Sequence, residues 1–456
     1  MRAEAGVAGA PRALQLDPRS KPGLVYLILC ILVLSAGLIA FRSSGWNANV
    51  MLLHELIFMA SYVFLLRPPF DLSASVKGNP VAYSLGLPWA LSITVSLIWS
   101  PLGMGHELLG ILRYFQTLFH VMFFFVLRDF LARYPVPRHW ILLVIPVSGL
   151  VVALVMGYQL LQLDSYDEAI AQQWFNNPPL NGHIRYTGYQ IAAAIAATVA
   201  FFVFPARAPL GRKPLFLILV VLCTLLFWMG GRASILGVVV VFAALALMAR
   251  IKGVGGRYLR LGLAGSMIIG LVLAQAMAVF PWNGLFSALS RTVEASDLVR
   301  VSSGRLTLWR EAWDSVQPHL AFGLGPQGYF FMPNRSFGLQ PHSMLVQFVV
   351  EWGLIGTLLF LGLLAYGFWR GIVAHVAMAG TDVNPAALSA GSVIVALTVL
   401  GLVDGTYYHP QPSLYLAIAF AIWTLPGRAE TEASRLAGVA HDETRQRSRF
   451  PDARTF

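Results

Sequence analysis

The residue types best suited to chemistry in this chain are arginines and histidines set at the ends of apolar runs. His342 stands in "QPHSMLVQFVVEWGLIG", Gln340 to Gly356, directly ahead of a long apolar stretch. Arg185 lies in "NGHIRYTGYQ", Arg232 in "WMGGRASIL", and Arg305 and Arg310 in "SSGRLTLWREAW"; Asp404 and His409 share "DGTYYHPQP". Arginine stays charged at any relevant pH and presents a planar fork to phosphate oxygens, so two or three together hold a pyrophosphate and stabilise it as a leaving group. A histidine at the start of a helix sits near the positive end of the helix dipole. That position disfavours the protonated ring and leaves it available as a general base. The set suits transfer from a lipid-linked phosphate donor, with the histidine taking the proton of an attacking sugar hydroxyl and no metal required.

Each residue also has a structural reading. A lone arginine at a span end snorkels to headgroups or neutralises a helix C-terminus. Arg232 fits that description worst, because it occupies a very short turn in which Gly230 and Gly231 permit close backbone approach. Arg305 alone is weaker, since a helix such as "GRLTLWREAWDSV" needs polar residues on its wet face. Glu55, Glu107, Arg113, His120 and Glu351 lie in or near apolar runs, where pairing within a bundle accounts for them. Arg113 and Glu351 stand with Arg310, Asp404 and His409 as second-rank site residues.

These side chains need a membrane framework. The chain has 456 residues, of which 57% are hydrophobic and only 12% charged, and this composition excludes an ordinary soluble domain. The expected fold class is an all-α polytopic membrane protein with about twelve transmembrane helices and one large loop containing helices. The reading divides the chain into an N-terminal tail, 1–23; a membrane region of about nine spans, 24–280; a loop, 281–342; a membrane region of about three spans, 343–425; and a polar C-terminal tail, 426–456, expected to be disordered. The first apolar run follows a basic tail and lacks a small-residue cleavage site, as expected of a retained anchor. Placing both tails in the cytoplasm puts Arg67 and Lys77, Arg128, Arg133 and Arg138, Arg207, Arg212 and Lys213, Arg250, Lys252, Arg257 and Arg260, and Arg370 on the inner side. The net charge of +11 is mostly this bias and implies no nucleic acid. His342, Arg185, Arg232 and Arg305 then share the outer face. Cys30 and Cys223 both fall inside apolar runs, so no disulfide framework is expected.

Other patterns carry less. "GLGPQG", Gly323 to Gly328, matches G-x-G-x-x-G, but it follows no strand and Pro326 removes a backbone donor, so it reads as a turn. The acidic "DSYDE", with Asp164, Asp167 and Glu168, reads as a solvated loop ahead of a cation site.

With these residues in place, the chain resembles the O-antigen ligase and polymerase superfamily of bacterial envelope glycosyltransferases. The resemblance rests on the long outer loop with "SSGRLTLWREAW", the "PHLAFGLGPQGYF" segment and His342 ahead of a span. It rests also on two patterns of the ligases: Arg-x-x-x-Leu, met from Arg232 to Leu236, and a His–Ser pair followed by spaced glycines, met from His342 and Ser343 to Gly353 and Gly356. The likeness covers about residues 180–370 well and the first five spans only in general character. It implies a multi-pass protein of the bacterial inner membrane with a periplasmic active site, needing no cofactor and no metal. The implied donor is a glycan on undecaprenyl pyrophosphate, and the acceptor a sugar of the lipid A core or another glycan. Transfer would be inverting, with Arg232 and Arg305 on the pyrophosphate, Arg185 as a further outer arginine, and His342 activating the acceptor hydroxyl. A ligase is favoured on the histidine pattern. A polymerase uses the same chemistry on a lipid-linked acceptor, and some relatives glycosylate protein. A transporter or flippase is disfavoured, because no internal repeat is seen and the distinctive charges gather at one face.

Overall fold

The computed structural model describes residues 19–39, 44–68, 79–102, 104–180, 182–204, 208–253, 256–294, 299, 302, 304–332, 340–375 and 384–425, without the side chains of 44–48, 104–107 and 256–260. The tail beyond 425, residues 1–18, Lys77, Arg207 and the side chains of Glu107, Arg257 and Arg260 lie outside the described residues. The described residues form helices and turns and contain no strand.

In chain order the helices are α1 (Lys21–Leu38), α2 (Ser44–Ser61, continued as a π-helical turn over Tyr62–Leu66), α3 (Pro80–Ile98), α4 (Met104–Arg133), α5 (Arg138–Leu161), α6 (Glu168–Asn176), α7 (Ile184–Val203), α8 (Arg212–Met229), α9 (Arg232–Ile251), α10 (Gly256–Ala276), α11 (Gly284–Val293), α12 (Arg305–Val316), α13 (Met344–His375), α14 (Pro385–Val403) and α15 (Pro410–Trp423). Among the described residues, ten helices are long and apolar enough to cross a membrane. The two remaining apolar runs fall on α10 and α15. In α10 the described side chains form an apolar stretch from Leu261 to Ala276. The 14 residues of α15 rise about 21 Å, short of a hydrocarbon core of about 30 Å.

At the centre stands α7, with side chains buried at nearly every position from Ile184 to Val203. Its alanine-rich middle, Ala192 to Ala197, lets α5, α8, α9, α14 and α15 approach closely, which is how apolar helices associate where lipid competes equally for their surfaces. Polar groups fasten it: Gln190 donates to the Gly37 carbonyl at 2.8 Å and the Ser148 hydroxyl at 3.0 Å, and Ser389 of α14 donates to the Ala197 carbonyl at 2.7 Å. The helix that carries Arg185 is therefore the most enclosed element of the protein.

The long apolar run after His342, read in sequence as one span, is broken. Gly353 takes φ 68° and ψ −175° inside α13, so Met344–Trp352 forms a short half ahead of a longer one. The backbone groups freed by the break are met by the segment Leu320–Gly325. Leu354 and Ile355 donate to the carbonyls of Leu320 and Ala321 at 2.8 and 3.2 Å, and Leu324 and Gly325 donate back to Val350 and Glu351 at 2.7 and 3.1 Å. A Cβ on Gly353 would lie 2.3 Å from the Ala321 oxygen, so only glycine permits this approach. Ser96 of α3 and Ser100 just beyond its end close the join by donating to the carbonyls of Glu351 and Leu324. The "GLGPQG" segment is a turn, as expected, and it also wedges the break open.

Candidate active site

Three helix ends and one turn bring the sequence candidates together. Arg185 opens the first turn of α7, capped by His183, whose Nδ1 accepts from the Arg185 backbone N–H at 3.1 Å. Arg232 is the first residue of α9, set by the left-handed Gly230 that ends α8. The two helices cross tightly one turn inward, where a Cβ on Gly188 would lie 2.7 Å from the Ser234 hydroxyl. Both arginines thus emerge at the same end. Arg305 opens α12, and one turn later the Trp309 indole N–H donates to the Pro341 carbonyl at 2.6 Å, which ties that helix to the residue before His342. At the end of α14 a Cβ on Gly401 would lie 2.8 Å from the Met344 sulfur; this close packing carries Asp404 to His342.

His342 is buried, 8% exposed, and takes a left-handed φ of 50°. Its Nδ1 lies 3.3 Å from Asp404 Oδ1. Arg185 Nη1 lies 2.8 Å from Nε2 and 3.1 Å from Nδ1 of the same ring. The two lone-pair directions of an imidazole diverge, so a nitrogen this near to both bonds neither in line and acts on the ring mainly as a positive charge. Burial, with the Arg185 and Arg305 cations, holds the His342 pKa below the ordinary histidine value against the opposing pull of Asp404. Burial by itself raises a carboxyl; for Asp404 the hydrogen bond to His342 and the Arg185 charge outweigh it, and the carboxyl is held below the usual carboxylate range. At neutral pH the pair is a neutral imidazole beside a carboxylate. A proton on Nδ1 facing Asp404 leaves the basic lone pair on Nε2.

Arg305 is held close to this pair. Burial, with the Arg185 and Arg232 charges, pulls its pKa below the ordinary arginine value, and Asp404 opposes the shift. Its Nε is buried with no hydrogen-bond partner among the described residues. Arg232 donates to the Thr292 hydroxyl of α11 at 2.6 Å. On the same helix Arg291, whose pKa burial and the Arg232 charge lower, adds a further cation. Among the described residues Arg185, Arg232, Arg291 and Arg305 outnumber the carboxylate of Asp404, which is the electrostatics of an anion site.

The second-rank residues divide. Asp404 enters the site directly. His409 is buried behind it, stacked on Tyr189 with ring centroids 5.5 Å apart, and burial lowers its pKa to about 3. Arg113 and Glu351 stand apart from His342 and converge on Tyr408. Arg310 is exposed and, five residues on from Arg305, points well around the helix from it. The Glu55 carboxylate meets His120 at 2.6 Å, a pairing within the bundle as the structural reading expects. Asp167 caps α6 by accepting from the Ile170 N–H at 2.9 Å, which accounts for part of the acidic patch.

Sequence reasoning missed His183, Tyr408 and Arg291. His183 could have been found as a polar residue immediately before the apolar run of α7. Burial lowers its pKa to about 4, so the uncharged ring serves as a helix cap. Arg291 carries the same signal as the others, a cation in the long loop, but it follows no distinctive pattern.

No curated protein matches the chain. Residues 215–361 match the sequence model of the O-antigen ligase family, a stretch that runs from α8 through Arg232, Arg305 and His342 to the second half of α13. With its apolar helices this indicates an integral membrane protein and an enzyme of the glycosyltransferase-like ligase and polymerase kind, for which membrane-borne, lipid-linked glycans are the implied substrates. Over that stretch, less than half of the chain, the protein is similar to the O-antigen ligase family.

Proposed function

We propose that the protein is a ligase-type glycosyltransferase of the bacterial inner membrane. It moves a glycan from undecaprenyl pyrophosphate to a sugar hydroxyl of the lipid A core at the periplasmic face. The observation that carries this reading is the neutral His342, oriented by Asp404 and ringed by Arg185 and Arg305, at the edge of a bundle of membrane-length helices. His342 Nε2 accepts the proton of the acceptor hydroxyl as its oxygen attacks the anomeric carbon. The bond from that carbon to the phosphate oxygen breaks, its electron pair leaves with the pyrophosphate, and the arginines take up the charge that develops there. Attack opposite the leaving group inverts the anomeric configuration. Asp404 stabilises the imidazolium formed. Arginine supplies the positive charge that a metal would otherwise bring, so the reaction is metal-independent.

The experiment is a gel of lipopolysaccharide from a deletion strain beside strains complemented with wild-type or His342→Ala protein. Loss of all glycan from the core, with long polymer accumulating on the lipid carrier and rescue by wild type only, supports the ligase. Core capped by a single repeat means a polymerase. Full rescue by His342→Ala removes His342 as the base. In the purified reaction, a rate lost to chelator and restored by an added divalent cation would contradict the arginine clamp.

A further inference from the structure

The turn that carries Asp404 is anchored on two sides. Toward its own helix the Thr406 hydroxyl donates to the Leu397 carbonyl at 2.7 Å, and the Tyr407 hydroxyl meets that of Thr398 at 2.7 Å. Away from that helix the link is Tyr408. Its backbone N–H donates to the Gly405 carbonyl at 2.9 Å, while the Gly405 N–H donates to Asp404 Oδ1 at 2.9 Å. Its side chain, 5% exposed, runs to the broken helix. The hydroxyl lies 2.8 and 3.0 Å from the two Glu351 carboxyl oxygens and 2.9 Å from Gln327 Oε1, directly after the segment that wedges the break. From the other flank Arg113 of α4 donates to the Tyr408 carbonyl, and its guanidinium carbon sits 3.8 Å from the centroid of the Tyr408 ring.

A guanidinium and a carboxyl inside membrane-spanning helices are costly unless other groups compensate them; Gln116 accepts from Arg113 and Gln347 donates to Glu351, and both charged groups meet at one tyrosine. Tyr408 thereby joins α4, the short half of α13 that begins beside His342, the Leu320–Gln327 segment and the Asp404 turn. We propose that Tyr408 is a positioning residue, clamped by Arg113, Glu351 and Gln327, that sets the Asp404 carboxylate against His342. The inference rests on the reading of His342 and Asp404 as a base and its oriented partner. It assigns to Arg113 and Glu351 a role at the site that neither performs by contact.

A merely structural tyrosine lowers the amount of folded protein. A positioning tyrosine changes the charge that His342 feels. The groups facing His342 are Arg185 from α7, Arg305 from α12 and Asp404 from the turn, with His183 and His409 behind them. Of these only Asp404 raises the affinity of the ring for a proton. The probe is deuterium exchange at the imidazole Cε1, followed by mass spectrometry across a pH series on the full chain in detergent. It reports the titration midpoint of His342 without substrate.

Asp404→Asn should lower that midpoint. Tyr408→Phe, which keeps the ring under Arg113, should lower it by at least half of the Asp404→Asn displacement and lower it no further in the double variant. Arg113→Gln should do the same and Arg113→Lys less. If Tyr408→Phe aggregates, Gln327→Ala removes an acceptor of the same hydroxyl and carries the same expectation. A His342 midpoint equal to wild type in folded Tyr408→Phe or Gln327→Ala, with Asp404→Asn displaced, overturns the inference. So does an Asp404→Asn protein that titrates like wild type, since there is then no pair to position. The expected displacements in a protein that transfers no glycan would leave the positioning role standing and remove the proposed reaction.

Discussion

Asp404→Asn tests the proposed base most directly, because it keeps the shape of a side chain that is 4% exposed and removes its charge. The amide oxygen can still accept from the Gly405 N–H and from His342 Nδ1, at the 2.9 and 3.3 Å now spanned by Oδ1. What is lost is the attraction between a carboxylate and the imidazolium that forms as the acceptor hydroxyl gives up its proton. Unit charges about 4 Å apart in an effective dielectric near 20 interact by about 4 kcal/mol. If half of the charge has developed at the transition state, the loss is about 2 kcal/mol; full development gives about 4. These correspond to a slowing of roughly 30-fold to roughly 1000-fold. The assay is the initial rate of transfer from a labelled undecaprenyl-pyrophosphate glycan to purified acceptor, followed across pH. The active form of His342 is neutral, so the rate falls on the acid side as the ring protonates. Asp404 raises the pKa of the ring, so its neutralisation must move that acid limb to lower pH, and the deficit against wild type narrows as pH falls. A variant within about twofold of wild type, or one slowed with its acid limb unmoved, would refute the reasoning.

The other expectations concern the anion site, the helix break and acid stability. Arg305→Ala and Arg232→Ala should each cost roughly 100- to 1000-fold in rate or donor engagement, whereas the outward Arg310→Ala should stay within about twofold; equal losses in all three would mean a general effect of positive charge. Gly353→Ala forces a left-handed φ and a contact of 2.3 Å on the Ala321 oxygen, so it should destabilise by about 1–3 kcal/mol or more, read as a lower Tm in detergent, and an unchanged Tm would deny the wedge. His183 and His409 have folded pKa values of about 4 and about 3, below the ordinary 6.5. The unfolded chain therefore binds protons that the folded chain does not. Their contribution to stability is complete above pH 6.5 and is lost as pH falls through the folded values, with Asp404 extending the loss in stronger acid. Thermal unfolding followed from about pH 7.5 to about 4.5 should show Tm dropping below about pH 6.5, and His409→Gln should flatten the drop; a level Tm in wild type would contradict these shifts.

The parts of this site that were legible in sequence are those whose signal is local. Apolar runs gave the helices because a span must satisfy its backbone within itself, and Arg232 and His342 stood out because a cation or an imidazole at a span end breaks a strong local pattern. What could not be read are relations made by helix crossings. Nothing in "DGTYYHPQP" distinguishes Asp404 as the partner of a histidine 62 residues earlier, because that contact depends on the packing of α14 against Met344. The break in α13 was hidden for a related reason. An apolar run reads as continuous whether or not one glycine in it is left-handed, and the groups that satisfy the gap come from a different stretch, Leu320–Gly325. Arg113 and Glu351 were suspected as intramembrane charges, but their meaning turned on Tyr408, a residue that looks like any interfacial tyrosine until its three partners are assembled around it. The proposed reactive residues are thus legible one by one, while their orientation belongs to long-range contacts. The decisive variants are therefore those that keep a side chain's size and remove one bond or one charge.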